Sequence, residues 1–240
     1  LRVAALYDVH GNLPALDAVL ADVDSDIVVV GGDVAAGPWP AETLARLRAL
    51  DRDVRWIRGN ADRELVQPSA ARAAGGGPPP ELIAWVRDRL SPEALEFLAA
   101  LPMTETIEVD GLGFVLFCHA TPRRDDELLT RISDDALWRD AVAGVDADVV
   151  VCGHTHVQFD RFAGAVRVVN AGSVGMPYES EPGAYWLELG PGIAHRRSTY
   201  DWEATASAIA ATFPDEWPAA TPEEATEFFE RSVRERAARG

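Results

Sequence analysis

Val3-Ala4-Ala5-Leu6-Tyr7-Asp8-Val9-His10-Gly11-Asn12-Leu13-Pro14-Ala15-Leu16 sets the frame for the chain. Apolar residues in unbroken succession suit a strand buried on both faces, and such strands belong to parallel sheets covered by helices. The run gives way to Asp8 and His10, two side chains able to bind a metal. Asn12 and Pro14 then mark a helix start, and Leu13, Leu16, Leu20 and Val23 recur at helical spacing. A strand, a polar turn and a crossover helix open an α/β fold.

The same pattern returns downstream. Apolar runs at Ile27–Val30, 54–57, 114–118 and Val149–Cys152 are short and end in glycine or polar residues, as buried strands do. A second helix is predicted over 41–50. Residues 67–80 break the rhythm, with Gly75, Gly76 and Gly77 followed by Pro78, Pro79 and Pro80. Helices over 81–90 and 92–101 follow, the second with Ser91 as N-cap and Pro92 in the first turn. Residues 67–102 thus read as a loop and helical insertion within one domain spanning 1–240, and 67–80 as a lid or partner contact starting near a strand end. From 157 onward, segments at 157–162, 166–169, 185–189 and 195–200, separated by glycine-bearing turns, predict antiparallel strands completing a second sheet. Helices near Trp202–Thr212 and over 222–239 close the chain. The last has a capping box, Thr221 with Glu224, and an apolar stripe of Ala225, Phe228, Phe229, Val233 and Ala237.

Composition narrows the function. Of the 240 residues 48% are hydrophobic and 25% charged, an ordinary globular balance. A net charge of -17, from 22 basic and 39 acidic residues, repels polyanions and argues against stable nucleic-acid binding. A phosphate substrate therefore needs local cations. Cys118 and Cys152 each end an apolar run, as reduced core thiols would, and imply no disulfide framework. No apolar run approaches the roughly 20 residues that span a bilayer, and the first residues lack a cleavage-site pattern. A cytoplasmic location without membrane contact is the expectation, and self-association into a homo-oligomer is compatible with the sequence.

Four of the five histidines fall where an apolar strand yields to a polar turn: His10, His119, His154 and His156. Carboxyl ends of strands form the ligand crevice of open α/β sheets. In an extended strand residues i and i+2 share a face, so Asp8 with His10, and His154 with His156, would each present two ligands to one volume. Asp33, in Gly31-Gly32-Asp33, and Asn60, in Gly59-Asn60, also end strands beside glycines that permit close approach. Singly these are turn residues; seven nitrogen and oxygen donors at successive strand ends point to a metal centre.

Asp8-x-His10, Gly32-Asp33, Gly59-Asn60, His119 and Gly153-His154-x-His156, in this order over the first two-thirds of the chain, resemble the calcineurin-like metallophosphoesterase signature. Asn170-Ala171-Gly172-Ser173-Val174-Gly175 resembles the segment that follows the last histidines in small bacterial phosphodiesterases of that family. The resemblance implies a four-layer α/β/β/α sandwich of two mixed sheets flanked by helices. It also implies two divalent transition-metal ions, with Asp8, His10, Asp33 and His156 at one and Asp33, Asn60, His119 and His154 at the other. Asp33 would bridge, holding the ions about 3.5–4 Å apart. Imidazole and oxygen donors suit manganese, iron, zinc, cobalt or nickel. Two such ions against two carboxylates leave a local positive charge for a small phosphate ester. In the implied mechanism a metal-bridging hydroxide attacks phosphorus in line, with Asp33, Asn60 and His119 as catalytic residues. Asn60, Arg123 and Arg124 are read as substrate contacts, Arg123 and Arg124 equally as a solvated pair balanced by Asp125, Asp126 and Glu127.

The chain departs from the family at Ala61, where many members have a histidine thought to protonate the leaving group. Another acid, such as water or His195, or esters that need little protonation, would fill the gap, and histidine introduced at 61 should then raise activity on poorer leaving groups. His195, on an edge strand, otherwise reads as structural, and Trp138, Trp186, Trp202 and Trp217 as packing residues. The leading expectation is a phosphodiesterase. The alternatives are a phosphomonoesterase, including a dinucleotide polyphosphate or phosphoprotein phosphatase, and a metal-retaining interaction scaffold.

Overall fold

Strand β1 (Val3–Leu6) is buried at every residue because both its faces are covered. Ala4 and Leu6 join a cluster with helical residues, while Val3 and Ala5 join one built from two sheets. The computed structural model describes residues 1–68 and 79–212, with Glu227, Arg231 and Arg234 beyond. After β1 come α1 (Leu13–Asp22), β2 (Ile27–Val30), α2 (Pro40–Arg48), β3 (Asp53–Trp56), α3 (Asn60–Val66), α4 (Pro80–Arg87), α5 (Pro92–Ala99), β4 (Thr104–Val109) and β5 (Gly113–Cys118). Then follow α6 (Asp135–Ala141), β6 (Val149–Cys152), β7 (Phe159–Ala163), β8 (Val166–Asn170), β9 (Ala184–Leu189), β10 (Ile193–Ser198) and α7 (Trp202–Thr212). Most of the helix expected over 222–239, its capping box, Trp217 and most of 67–80 lie outside the described residues.

Two five-stranded sheets form, ordered β10-β9-β1-β2-β3 and β4-β5-β6-β8-β7. In the first, β1, β2 and β3 are parallel, with β9 and β10 added antiparallel. In the second, β5, β6 and β8 are parallel, flanked by antiparallel β4 and β7. Alternation along the strands divides the side chains among three interfaces. Leu6, Val28 and Val30 pack under α1 to α5; Val29, Val115, Phe117, Val151 and Leu187 fill the space between the sheets; Cys118, Val150, Cys152 and Val168 pack beneath Trp138 of α6. Three apolar interfaces separate four layers, which is the α/β/β/α sandwich expected.

Several details differ from the sequence reading. The four late segments do not complete one antiparallel sheet: β7 and β8 extend the second sheet, β9 and β10 the first, and β8 runs parallel to β6. Glycine signals mark turns but carry no information about which sheet a hairpin joins. β3, expected to be buried, is an edge strand with Asp53 and Arg55 exposed. β4, α3 and α6 were not expected. β4 is a polar edge strand, α6 buries only Trp138 and Ala141, and α3 buries Asn60, Asp62 and Glu64 beside Ala61 and Leu65, so none shows a clear apolar period. The helix start at Asn12 is as expected, its Oδ1 accepting Ala15 N–H at 3.2 Å, and Ser91 caps α5 in the same way. Trp138 and Trp186 are buried, while Trp202 is exposed at the start of α7. No helix among the described residues is long and apolar enough to cross a membrane.

Candidate metal centre

The carboxyl ends of the parallel strands meet at one edge of the sandwich. Asp8 and His10 follow β1, Asp33 follows β2, Asn60 opens α3 after β3, His119 follows β5, and His154 and His156 follow β6. All seven are buried. The convergence is as expected, but its cause is different. Asp8, His10, Asp33, His154 and His156 have φ of 52, 46, 52, 64 and 58°, so none belongs to an extended strand. The chain has left the sheet and turned through the left-handed region. For residues other than glycine that costs about 1–2 kcal/mol each, although Asp and His enter it more readily than most. Backbone bonds hold the turns side by side: Asp8 N–H to Gly32 O at 3.1 Å, His10 N–H to Asp33 O at 2.9 Å and Gly11 N–H to Val34 O at 2.8 Å. Strain of this kind gathers at active sites and ligand clamps, which makes this buried polar cluster the candidate site.

Glycines let these turns close. A Cβ on Gly59 would lie 2.1 Å from Asp33 Oδ1, and one on Gly153 2.5 Å from Asp8 Oδ2. The last residue of β8 and the segment after it brace the cluster from outside. Asn170 Nδ2 donates to Gly153 O at 2.6 Å and to Thr155 Oγ1 at 3.1 Å. Ser173 Oγ donates to Asp8 O at 2.8 Å, and Gly175 N–H donates to the same oxygen at 3.0 Å.

Three imidazoles are oriented by carbonyls. His10 Nδ1 faces Ala36 O at 3.2 Å, His119 Nδ1 faces Gly31 O at 2.9 Å, and His156 Nδ1 faces Met176 O at 2.7 Å. A carbonyl only accepts, so each Nδ1 carries a hydrogen and each ring turns its Nε2 inward, where a neutral ring offers a lone pair. Those atoms crowd together: His10 Nε2 and His156 Nε2 are 3.2 Å apart, and His156 Nε2 is 3.2 Å from Asp8 Oδ1. His119 Nε2 lies 3.1 Å from Asn60 Oδ1 and 3.4 Å from Asp33 Oδ2. His154 Nε2 is buried with no hydrogen-bond partner among the described residues. Donor atoms of Asp8, His10 and His156 lie within 4.8 Å of one another, and so do those of Asp8, Asp33 and His119. Buried donor atoms that face each other need a proton or a cation between them, and a cluster of imidazoles and carboxylates this dense fits divalent metals.

Protonation follows from the same crowding. Burial opposes charge on Asp33, but the charge and hydrogen bond of His119, with His10 and His154, hold its carboxyl well below the usual range. Asp8 is likewise lowered, burial being outweighed by His156 and His119. For His119, Asp33 and Asp8 overcome desolvation and lift the imidazole to about 10. Burial and the charge of His119 push His154 down to about 4. Without metal, therefore, His119 holds a proton at neutral pH, and a cation must displace it. Manganese affinity is expected to rise about tenfold per pH unit between pH 7 and 9, with about one proton released on loading. Calorimetry in two buffers of different ionisation enthalpy measures this, and heats independent of the buffer would contradict it.

The other expected site residues lie differently. Arg123 bonds Glu127 and Asp140 at 2.6 and 2.7 Å, and Arg124 bonds Asp126 at 2.8 Å, all at the surface; this is the balanced pair that formed the alternative reading. His195 is an exposed residue of β10 with Nε2 3.3 Å from Asn170 O. Ala61 is fully buried in the apolar cluster beneath α3, so an imidazole there meets a packing cost before it meets substrate. The thiols of Cys118 and Cys152 are buried on the α6 side of their sheet, and burial pushes the Cys152 thiol up to about 12, leaving it protonated. Two residues of the site carried no assignment from sequence. Asp62 Oδ2 accepts Asp33 N–H at 2.8 Å and Gly59 N–H at 3.0 Å, while Oδ1 accepts Val34 N–H at 3.0 Å. An acid in the first turn of a helix, three residues after Gly59, is the signal that could have shown it. Arg63 bonds both oxygens of buried Asp125 at 2.9 and 3.1 Å, tying α3 to the loop after His119.

Comparison with known proteins gives this arrangement its context. The uncharacterized protein MJ0912 of Methanocaldococcus jannaschii is 28% identical over 166 residues, which are 65% of this chain and 63% of that protein. The chain thus matches less than two thirds of that relative. The crystal structure of a metallophosphoesterase from Sphaerobacter thermophilus is similar, with a TM-score of 0.72 at 24% identity over 90% of this chain and 95% of that one. That of the hypothetical protein PH1004 from Pyrococcus horikoshii OT3 reaches 0.76 at 20% identity over the same shares. Both show the shared fold. A sequence profile described as the calcineurin-like phosphoesterase superfamily domain matches residues 1–189, well over half of the chain, and on that ground the protein belongs to the calcineurin-like phosphoesterase superfamily.

Proposed function

We propose that this chain is a dimetal-dependent hydrolase of phosphate esters that acts on small phosphodiesters. The observation that carries the reading is the set of inward, buried donor atoms, above all His154 Nε2, which has no hydrogen-bond partner among the described residues, and Asp8 Oδ1, which the Nε2 atoms of His156, His10 and His119 crowd at 3.2, 3.7 and 3.8 Å. Asp8, His10, Asp33 and His156 would hold one ion, and Asp33, Asn60, His119 and His154 the other. Bound there, manganese, iron, zinc, cobalt or nickel would supply Lewis acidity toward a phosphoryl oxygen and a nucleophilic water at neutral pH.

The chain's own residues do the rest. The Nδ1–carbonyl bonds of His10, His119 and His156 fix ring tautomer and orientation before any ligand arrives. With only Asp8 and Asp33 as anionic donors, the loaded centre keeps a net positive charge inside a protein of net charge -17. A phosphate is thereby drawn to this spot and repelled elsewhere. Asn60 contributes a neutral carbonyl oxygen, adding no charge to repel the ester. Ala61 has no proton to give a leaving alkoxide, which favours esters whose leaving group is already a stable anion.

The test is elemental analysis of the purified protein together with turnover of bis(4-nitrophenyl) phosphate and 4-nitrophenyl phosphate with manganese added. Two ions per chain and faster diester cleavage are expected. A fully metallated protein inert toward both esters would overturn the enzyme reading, and faster monoester cleavage would overturn the diester preference.

A further inference from the structure

Beside the metal centre the chain places an aromatic ring that the sequence reading did not use. Tyr178 stacks on the His156 imidazole, with ring centroids 4.7 Å apart and planes 25° from parallel. Two bonds fix the pair: Tyr178 N–H donates to His156 O at 3.1 Å, and His156 Nδ1 faces Met176 O at 2.7 Å. Pro177 between them stiffens the turn. Unlike the ligands, which are buried, Met176, Pro177, Tyr178 and Glu179 are half-buried, so this turn forms part of the rim. Asp8, at the heart of the cluster, is close enough to help raise the Tyr178 phenol, after burial itself.

We propose that Tyr178 is a specificity-determining residue whose ring receives the organic group of the ester, favouring aryl and nucleoside esters over small alkyl ones. The inference rests on the phosphoesterase reading and names its substrate class. A phosphoryl group held among the seven donors must direct its organic substituent toward the rim, where a flat apolar ring beside His156 offers stacking to a planar group. Glu179 occupies the next position, its Oε1 accepting Gln158 N–H at 2.6 Å. A carboxylate there repels a second phosphate, so the wall suits an uncharged aromatic group and disfavours a polyphosphate chain. Stacking of this kind does not require the hydroxyl.

The test uses the manganese-loaded full chain as parent, Tyr178→Ala and Tyr178→Phe. Affinities for AMP, methyl phosphate and inorganic phosphate are measured by calorimetry, together with manganese affinity. AMP is expected to bind the parent more tightly than methyl phosphate, to lose about tenfold in Tyr178→Ala, and to recover in Tyr178→Phe. Inorganic phosphate and manganese should shift by much less. Equal losses for AMP, inorganic phosphate and manganese would overturn the proposal, since Tyr178 would then only brace His156. So would unchanged AMP binding in Tyr178→Ala. Because binding is read directly, the absence of ester turnover would count against the hydrolase reading and not against the aromatic wall.

Discussion

Replacing Asp33 with asparagine is expected to lower diester turnover roughly 10³-fold, equivalent to about 4 kcal/mol in the transition state. Asp33 stands between the two halves of the donor set. Its Oδ1 accepts Ala61 N–H at 2.7 Å, and its Oδ2 faces His119 Nε2 at 3.4 Å and His10 Nε2 at 4.0 Å. On the proposed dimetal reading, a carboxylate in that place would share its charge with a cation on either side. An amide offers one good acceptor and one donor. If its oxygen keeps the Ala61 bond, the NH₂ points at the lone pairs that should meet the ions; if it flips, two N–H groups collide at Ala61. In either orientation the proposed pair of cations would lose one of its two negative charges and its common ligand.

The measurement is metal stoichiometry alongside kcat. Asp33→Asn should retain fewer than two ions per chain, while its fold, read by circular dichroism, should persist because the three apolar interfaces do not involve Asp33. Full metal content with unaltered turnover would remove Asp33 from the centre. In the metal-free state the variant should also lose the raised His119 value, for which Asp33 is the largest favourable cause. That shift is visible by NMR titration of the imidazole and is independent of turnover.

The gathering of donors was legible in the sequence because it depends on where strands stop, and apolar runs ending in Asp, Asn or His state that directly. The local conformation was not. Asp8-x-His10 and His154-x-His156 have the spacing of one strand face, yet all four residues lie in the left-handed region. What brings them together is the stacking of turns beyond the sheet edge, a tertiary effect that spacing alone does not encode. The sandwich was legible for the same reason as β1: a strand covered on both faces needs apolar residues at every position. Edge and cover elements obey weaker rules. β4 alternates Thr and Glu with sparse apolar residues, and α3 turns polar groups inward toward the site, so an apolar period has nothing to report. The chain crosses from β8 to the first sheet where Ser173 Oγ and Gly175 N–H donate to Asp8 O and Val174 N–H donates to Tyr7 O, which is a hydrogen-bond pattern and not a hydrophobic one. Asp62 was hidden because its partners are backbone groups of three separate turns.

Asp62→Asn is expected to destabilise the metal-loaded protein by about 3 kcal/mol, and the metal-free protein by less. Asp62 is fully buried and accepts three backbone N–H groups, from Asp33, Val34 and Gly59. It therefore fixes the turn that aims Asp33 and the start of the helix that carries Asn60. An asparagine must set its NH₂ against at least one of those donors, leaving a buried N–H unpaired. The metal dependence follows from charge. In the metal-free protein, burial and then repulsion from Asp33 raise the Asp62 carboxyl to about 6, despite the bonds from Gly59 and Val34. A group raised above its unfolded value stabilises fully below that value and loses the contribution as pH rises through about 6. The metal-free parent is thus weakened by Asp62 at pH 7 to 8, and a neutral amide escapes that repulsion, offsetting part of the lost hydrogen bonding. Cations bound to Asp33 remove the repulsion, so in the loaded protein only the loss remains. Urea unfolding of parent and variant at pH 7.5, with manganese or with chelator, measures both deficits. Chelated protein at pH 5, where Asp62 is largely protonated in the parent and its repulsion from Asp33 is relieved, should show a larger deficit than chelated protein at pH 7.5, where the two chains come closest in stability. Equal deficits under all three conditions would show that Asp62 acts by packing alone, and no deficit with manganese would show that the three N–H bonds do not hold the turn.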